Sequence, residues 1–455
     1  MMRPPRRAAW MLALALSCRP SHLGRRKAPR LKGDSSYALQ PPVPEAVRAL
    51  GLRPQALKCY SVGMVCRKAS MPVFAAVLVT ACLAFSASRS RGAGYPDINF
   101  TGYQATPLES PLGGSLAAGY AVAPDDKGDI LVAGALSDAS GAVRMAVLRF
   151  ERDGTLDKLF GSNGVYAPAG PRDWGTAMAV DEEGRVMIAG SAGQSFGNSQ
   201  AVVLRRLLPT GLPDPMFAKG GMASAAGPFG GRAMAYAVAL QGRDILVGGA
   251  AAGPNGRLWG ALWRFDHDGD PEKSFGRGGV VLFPAPPRYF SQVRALVPLA
   301  DGSVLAAGNF AYRMAIWKTE HDGRRDDSFG RHGLALGPFG WARALAPGAG
   351  GALWLAGFRT IYNRVTRTVT KRLPALVLMT ASGGVDAGFG RAGIEYLQIP
   401  DFSTGAQIFA LAADPQGGLY AAGDAGAAGK QACLWALGAD GRPNPAFGSD
   451  GVLLL

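Results

Sequence analysis

Two groups of side chains in this 455-residue sequence have types that could do chemistry on a ligand. The first is a wide-spaced recurrence of aromatic residues and arginines: Arg172 and Trp174; Phe229 and Arg232; Arg288, Tyr289 and Phe290; Phe339, Trp341 and Arg343; and Phe402. Aromatic rings stack on sugar rings, and guanidinium forks clamp acidic groups. The same aromatics can instead plug a channel mouth or pack between structural units. The second group is the segment 358–373, which carries Arg359, Arg364, Arg367, Lys371 and Arg372 with no acidic residue. It reads either as a long solvated hairpin or as a basic finger for an anionic glycan, a lipid headgroup or an acidic protein.

Other chemistry finds few candidates. The four histidines are His22, His267, His321 and His332, and the sequence holds no His-x-His or Cys-x-x-Cys spacing, so a transition-metal site is not expected. Asp266, Asp268 and Asp270 alternate as calcium-loop carboxylates do, but the required glycine and distant bidentate glutamate are out of register. Calcium at that loop is the one cofactor the pattern leaves open. No Walker loop is present, and a chain read as strands offers no strand-to-helix nucleophile elbow, so no catalytic residue is assigned. A pair of distant carboxylates for glycoside cleavage stays open, because spacing along one chain does not show it.

Charge sets a further limit. Of 48 basic and 33 acidic residues, positions 1–93 hold 16 and 2, which leaves 32 and 31 for positions 94–455. A nucleic-acid-binding body would keep its excess positive charge on the part that meets phosphates, so nucleic acid is not an expected partner. The basic leader contains Arg67 and Lys68, an apolar run over 71–85 and the small residues Ser86, Ala87 and Ser88, the pattern of a secretory signal. Within it Val79, Thr80, Ala81 and Cys82 match a lipobox, which makes Cys82 a candidate lipidation site. A membrane anchor over 71–88 is the alternative. A second signal-like segment over 3–18 suggests that translation starts at Met64 or Met71. The expected division is therefore 1–63 as an extension, 64–93 as signal peptide or anchor, and 94–455 as the folded body. Cys433 is the one cysteine of that body, in an apolar run where it reads as a small buried side chain.

The elements that must position these residues follow from an internal repeat. The 64 glycines are roughly twice the usual share, and they recur in register. A phenylalanine, usually followed by glycine, stands at 160, 217, 275, 329, 389 and 447. Each unit reads as a small-residue alternating segment, a hydrophobic run ending in Ala-Gly or Gly-Gly, a third apolar run, an Asp-Gly turn, the Phe anchor and a last short strand. Apolar runs of four to seven residues between turn signals are strands. Four strands per unit is the pattern of a β-propeller blade. The fold class is therefore all-β, a propeller of six blades, with a seventh possible if residues up to 116 contribute and with 95–103 and 451–455 as two sides of a closure. The phenylalanine is expected to be an inter-blade wedge. The fifth unit departs from the pattern, with Ser382, Gly383 and Gly384 in place of Asp-Gly.

Residues 129–134 (DILVAG), 153–157 (DGTLD) and 160–165 (FGSNGV) resemble the delta-60 repeat, a bacterial family. The resemblance implies a β-propeller in an extracytoplasmic setting, secreted, periplasmic or on the outer surface, with no defined activity and no catalytic residues to carry over. In a propeller the fourth-to-first and second-to-third connections share one face, which gathers the aromatic and arginine residues there. The expected function is an exported binding or interaction module of the cell envelope. It would act as a monomer, take a protein or glycan as partner, and touch the membrane only through its leader. A polysaccharide lyase or hydrolase using that face, and a purely structural envelope protein, are the alternatives.

Overall fold

In a computed structural model the described residues are 111–454, apart from 169, 171, 194–198, 363–368, 400–404, 414–417 and 427–430. They form six four-stranded antiparallel sheets, each built from consecutive strands, in a propeller arrangement. The first blade holds β1 (Gly113–Pro124), β2 (Ile130–Asp138), β3 (Val143–Phe150) and β4 (Val165–Tyr166), and the second β5 (Asp173–Val180), β6 (Val186–Gly193), β7 (Ser199–Leu207) and β8 (Met222–Ala226). The third holds β9 (Ala233–Gln241), β10 (Asp244–Ala252), β11 (Leu258–Phe265) and β12 (Val280–Phe283), and the fourth β13 (Ser291–Pro298), β14 (Val304–Phe310), β15 (Arg313–Thr319) and β16 (Leu334–Phe339). The fifth holds β17 (Trp341–Pro347), β18 (Leu353–Tyr362), β19 (Val369–Met379) and β20 (Ile394–Tyr396), and the sixth β21 (Ala406–Ala413), β22 (Leu419–Ala425), β23 (Gln431–Leu437) and β24 (Val452–Leu454). Residues 113–116 belong to the first blade's innermost strand, so a seventh blade does not use them. The stretch 95–103, the leader and Cys82 lie outside the described residues. No helix among the described residues is long and apolar enough to cross a membrane.

The hydrophobic core lies between blades. One cluster joins Val202, Leu204 and Phe217 of blade 2 to Ile245, Val247 and Trp263 of blade 3, and equivalent clusters join the other consecutive pairs from blade 1 to blade 6. Each of the first five anchors, Phe160, Phe217, Phe275, Phe329 and Phe389, sits in such a cluster, as a wedge must. A clip not evident in the sequence secures three of these joints. The guanidiniums of Arg149, Arg206 and Arg264 lie 4.9, 4.6 and 5.6 Å from the wedge rings of their own blades. Each also donates from Nη1 to a turn carbonyl of the next blade, Pro209, His267 and His321 respectively.

The second strand of every blade carries one glycine whose role is steric. A Cβ at Gly134, Gly190, Gly249, Gly308, Gly357 or Gly423 would stand 1.8–1.9 Å from a carbonyl oxygen of the innermost strand. That close approach accompanies a β-bulge in each innermost strand, which leaves one residue unpaired. The six bulged residues are Tyr120, Thr176, Tyr236, Arg294, Arg343 and Phe409. A bulge re-aims a side chain out of the ladder. Neighbouring members of this set meet, Arg294 lying 3.7 Å over the Tyr236 ring and Arg343 standing 5.9 Å from the Phe409 ring, while Thr176 Oγ1 donates to the carbonyl of Ala235, the residue before Tyr236. The bulges thus place one side chain per blade toward the axis.

In five blades the turn before the wedge is closed by an acidic residue, Asp157, Asp214, Glu272, Asp326 or Asp386, and in the sixth by Asn444. Asp326 accepts from Lys318 Nζ at 2.7 Å and from the Ser328 backbone N–H, and the Lys318 ammonium, followed by the Ser328 hydroxyl, holds its carboxyl below the ordinary range. At Glu272 the Ser274 hydroxyl and backbone N–H do the same. These groups titrate near pH 4 in the unfolded chain and lower in the folded one, so acid protonates the unfolded state first. Urea midpoints are expected to hold steady above about pH 5 and to fall progressively below about pH 4, with Asp326→Asn flattening part of the fall. A midpoint that rises on acidification would contradict this reading.

Candidate functional site

On the face where the fourth-to-first and second-to-third connections meet, five aromatic rings form a row across blades 4 and 5. Tyr289 meets Tyr312 edge-on at 5.6 Å, Tyr312 meets Phe290 at 5.9 Å, Phe290 meets Trp341 at 5.4 Å, and Trp341 stacks on Phe358 at 6.4 Å and 7°. The row grades from solvent to interior. Tyr289 and Tyr312 are 40 and 44 % exposed, Phe290 and Trp341 are half-buried, and Phe358 is buried. Guanidiniums flank its inner end: Arg343 and Arg372 stand 5.7 and 5.3 Å from the Phe358 ring. At the rim Arg313 lies 5.8 Å from Phe339, which is 67 % exposed.

Backbone strain collects at the outer end of the row. Among the described residues eight other than glycine have φ in the left-handed region, and five of them, Asn163, Ala218, His332, Ala392 and Asp450, belong to the recurring turn after the wedge. The other three are Arg288 (φ 73°), Ala311 (φ 49°) and Tyr312 (φ 64°). Ala311 and Tyr312 form the whole connection between β14 and β15, where Phe310 pairs with Arg313. A two-residue hairpin of this shape favours Asn-Gly, and each left-handed L-residue costs about 1–2 kcal/mol. The Ala311 N–H donates to the Phe290 carbonyl and the Gly340 N–H to that of Tyr312, which fixes both rings in the row. Strain of this kind concentrates at ligand clamps.

Of the residues named from sequence, the structure brings Arg288, Tyr289, Phe290, Phe339, Trp341 and Arg343 to this region and leaves others apart. Trp174 is buried against Ala118, Tyr120 and Ala135, so it is packing between blades 1 and 2. Phe229 is 44 % exposed beneath Arg277, and Arg172 and Arg232 lie in the connections entering blades 2 and 3, away from the row. Phe402, Arg364 and Arg367 lie outside the described residues. Residues 358–362 and 369–373 pair as antiparallel strands, with Arg359 across from Leu373 and Ile361 from Lys371. Arg359 is engaged, donating to the Tyr396 hydroxyl at 3.1 Å, and Arg372 turns toward Phe358. Tyr312, Phe358, Arg313 and Arg294 were not singled out in the sequence. A signal for Arg294 exists, since Arg-Ala-Leu-x-Pro recurs in register at 294–298 and 343–347.

Two carboxyl features complete the electrostatics. Asp424 accepts from Gln407 Nε2 at 3.1 Å, and burial pushes its carboxyl above the ordinary range against the pull of Gln407, Arg372 and Arg343. Asp266 accepts the N–H groups of Asp268 and Asp270 in a closed turn, and among the described residues no cluster of His, Cys, Asp or Glu is placed to hold a metal ion. Cys433 is buried, and burial raises its thiol well above the ordinary range.

The six blades define a repeat protein of the β-propeller class. Residues 128–160 and 184–217 match the family described as "Domain of unknown function (DUF5122) beta-propeller". Each stretch runs from the turn before a second strand to a wedge, Phe160 or Phe217. A comparison with curated proteins gives no match. Among solved structures the chain is similar to a protein from Lactobacillus plantarum, at 11 % identity over 70 % of this chain and 80 % of that one, with a TM-score of 0.41. A protein of unknown function from Dyadobacter fermentans is similar at 9 % identity over 70 and 91 %, with a TM-score of 0.40. A mannose phosphorylase from Leishmania mexicana is similar at 12 % identity over 58 and 82 %, with a TM-score of 0.30.

Proposed function

We propose that this protein is an exported binding module of the bacterial cell envelope, which holds an acidic glycan chain along the aromatic row of blades 4 and 5. The observation that carries the reading is the row itself: exposed Tyr289 and Tyr312, held on a strained turn, lead inward past Trp341 to Arg343 and Arg372. Rings of graded exposure suit successive sugar faces, and guanidiniums beyond them suit an acidic substituent. Export rests on the signal pattern over 67–88, and the in-register motifs at 129–134, 153–157 and 160–165 support reading the repeat as a delta-60 repeat. Titration calorimetry of the full chain against neutral and uronic-acid oligosaccharides tests the reading. Tyr289→Ala is expected to weaken uronic-acid binding about tenfold, the loss of roughly 1.4 kcal/mol of ring contact, with little change in thermal stability. Equal affinity for neutral and acidic chains, or unchanged affinity in Tyr289→Ala, would set the proposal aside.

A second reading has one observation in its favour. Asp424 is a carboxyl whose proton affinity burial has raised, which is what a general acid for glycosidic cleavage requires. Release of reducing ends from an acidic polysaccharide, abolished in Asp424→Asn, would favour that enzyme over a binder.

A further inference from the structure

The row of rings leads to the axis, and what stands there differs from blade to blade. Of the six bulged residues, four are uncharged and two neighbours in the ring, Arg294 and Arg343, are arginines. Neither forms an ion pair among the described residues. Arg294 donates from Nε and Nη2 to the single oxygen Oε1 of Gln292, at 3.2 and 2.8 Å, and rests on the Tyr236 ring. The Nε of Arg343 is buried with no hydrogen-bond partner at all. Opposite Gln292 on β14, Asn309 is fully buried and both its amide atoms are also unpartnered. Arg294 and Arg343 are each half-buried as residues, although the Nε of Arg343 is itself buried.

A buried cation is ordinarily paired, because desolvation is otherwise uncompensated. Here burial and then the charge of Arg294 push Arg343 down to about 9, so it is still protonated at neutral pH. The aromatic faces of Tyr236, Phe358 and Phe409 offset part of the penalty but offer no negative charge. Asp424 lies near enough to act on Arg343 electrostatically, though its hydrogen bond goes to Gln407. Two adjacent guanidinium forks with an orphaned donor between aromatic walls are half of an oxyanion site.

We propose that the axial channel binds one compact oxyanion, phosphate, sulfate or carboxylate, between Arg294 and Arg343. The bulges explain why the site can exist in this repeat. Every blade turns one side chain toward the axis, so substituting arginine at two neighbouring bulges builds a two-pronged clamp on rigid strands, without a loop. The anion has two sources, a free inorganic ion or the acidic group of a chain lying on the aromatic row, and the chemistry at the guanidiniums is common to both. The site stands on the bulge geometry and holds whether or not the row binds a glycan.

The test uses the full chain at fixed ionic strength, with chloride exchanged for sulfate or phosphate. Saturable binding of one ion per chain is expected by calorimetry, with a matching rise in melting temperature. Arg343→Gln is expected to weaken it at least tenfold and the Arg294→Gln/Arg343→Gln pair to abolish it, while Tyr289→Ala leaves it intact. Removing an uncompensated charge should leave the anion-free melting temperature of the Gln variants unchanged or raised, which separates loss of the site from loss of the fold. If a Gln variant did not fold, the sulfate-against-chloride melting shift of the unaltered chain would decide. No saturable binding of either ion, or binding undiminished in the double variant, would overturn the proposal. Where both sulfate and a uronic-acid oligosaccharide bind, competition between them assigns the pendant acid to the channel, and simultaneous binding assigns a free ion. Failure of the oligosaccharide alone would dispose of the glycan reading and leave the channel site standing.

Discussion

Gly308→Ala is expected to destabilise the protein by about 3 kcal/mol or more, although it adds one methyl group to a strand. The new Cβ would stand 1.9 Å from the Gln292 carbonyl oxygen and 2.9 Å from its carbon. Both contacts are with backbone, so no rotamer change relieves them, and β13 must move away from β14. Gly260→Ala is the control. Its Cβ meets nothing closer than 3.5 Å, and its expected cost is below about 1 kcal/mol. Urea unfolding of the two variants makes the comparison. Equal small losses would show that the bulge does not depend on the glycine. Because the displaced segment carries Gln292 and Arg294, any Gly308→Ala protein that folds should also bind sulfate more weakly than the Gly260→Ala control.

The same glycine shows what a sequence can reveal and where it stops. The Ala-Gly or Gly-Gly ending of each second strand is visible as a recurrence, and so are the wedge and the turn before it, because each recurs in register at intervals near that of one blade. Recurrence exposes whatever every blade needs. It does not say why the glycine is needed, since the oxygen it accommodates belongs to another strand. The candidate site is the opposite case. It consists of departures from the repeat: Ala311 and Tyr312 in a turn that asks for Asn-Gly, Arg294 and Arg343 at bulges that elsewhere hold Tyr, Thr or Phe. Arginines and aromatics near the connections were legible by type, but burial was not. Trp174 and Trp341 look alike in sequence, yet one is sealed between blades 1 and 2 and the other stays half-exposed in the row. What distinguishes them is the neighbouring blade: Ala118 and Tyr120 close over Trp174, whereas Trp341 faces Phe290 across the joint from blade 4.

Phe217→Ala is expected to cost about 3–5 kcal/mol, and its damage should fall on one joint of the ring. The ring of Phe217 is fully buried between Val202 and Leu204 of its own blade and Trp263 and Phe265 of the next. Above it lies Arg206, which spans the joint through Asp214 at 2.7 Å and the His267 carbonyl at 2.5 Å. Below it Gly269 leaves the space the ring occupies, because a Cβ there would come within 2.7 Å of Phe217. Truncation therefore removes the surface that both the guanidinium and the turn of blade 3 rest on, and Phe217→Leu should recover part of the loss. The backbone bond from Ala218 N–H to the Asp268 carbonyl, 2.8 Å long, crosses the same joint and reports on it. In Phe217→Ala its amide should exchange much earlier than that of Gly276, which makes the equivalent bond to Asp322 one blade further on. A small loss, or protection that falls equally at both amides, would mean that the phenylalanine supports the fold generally and does not wedge the two blades together.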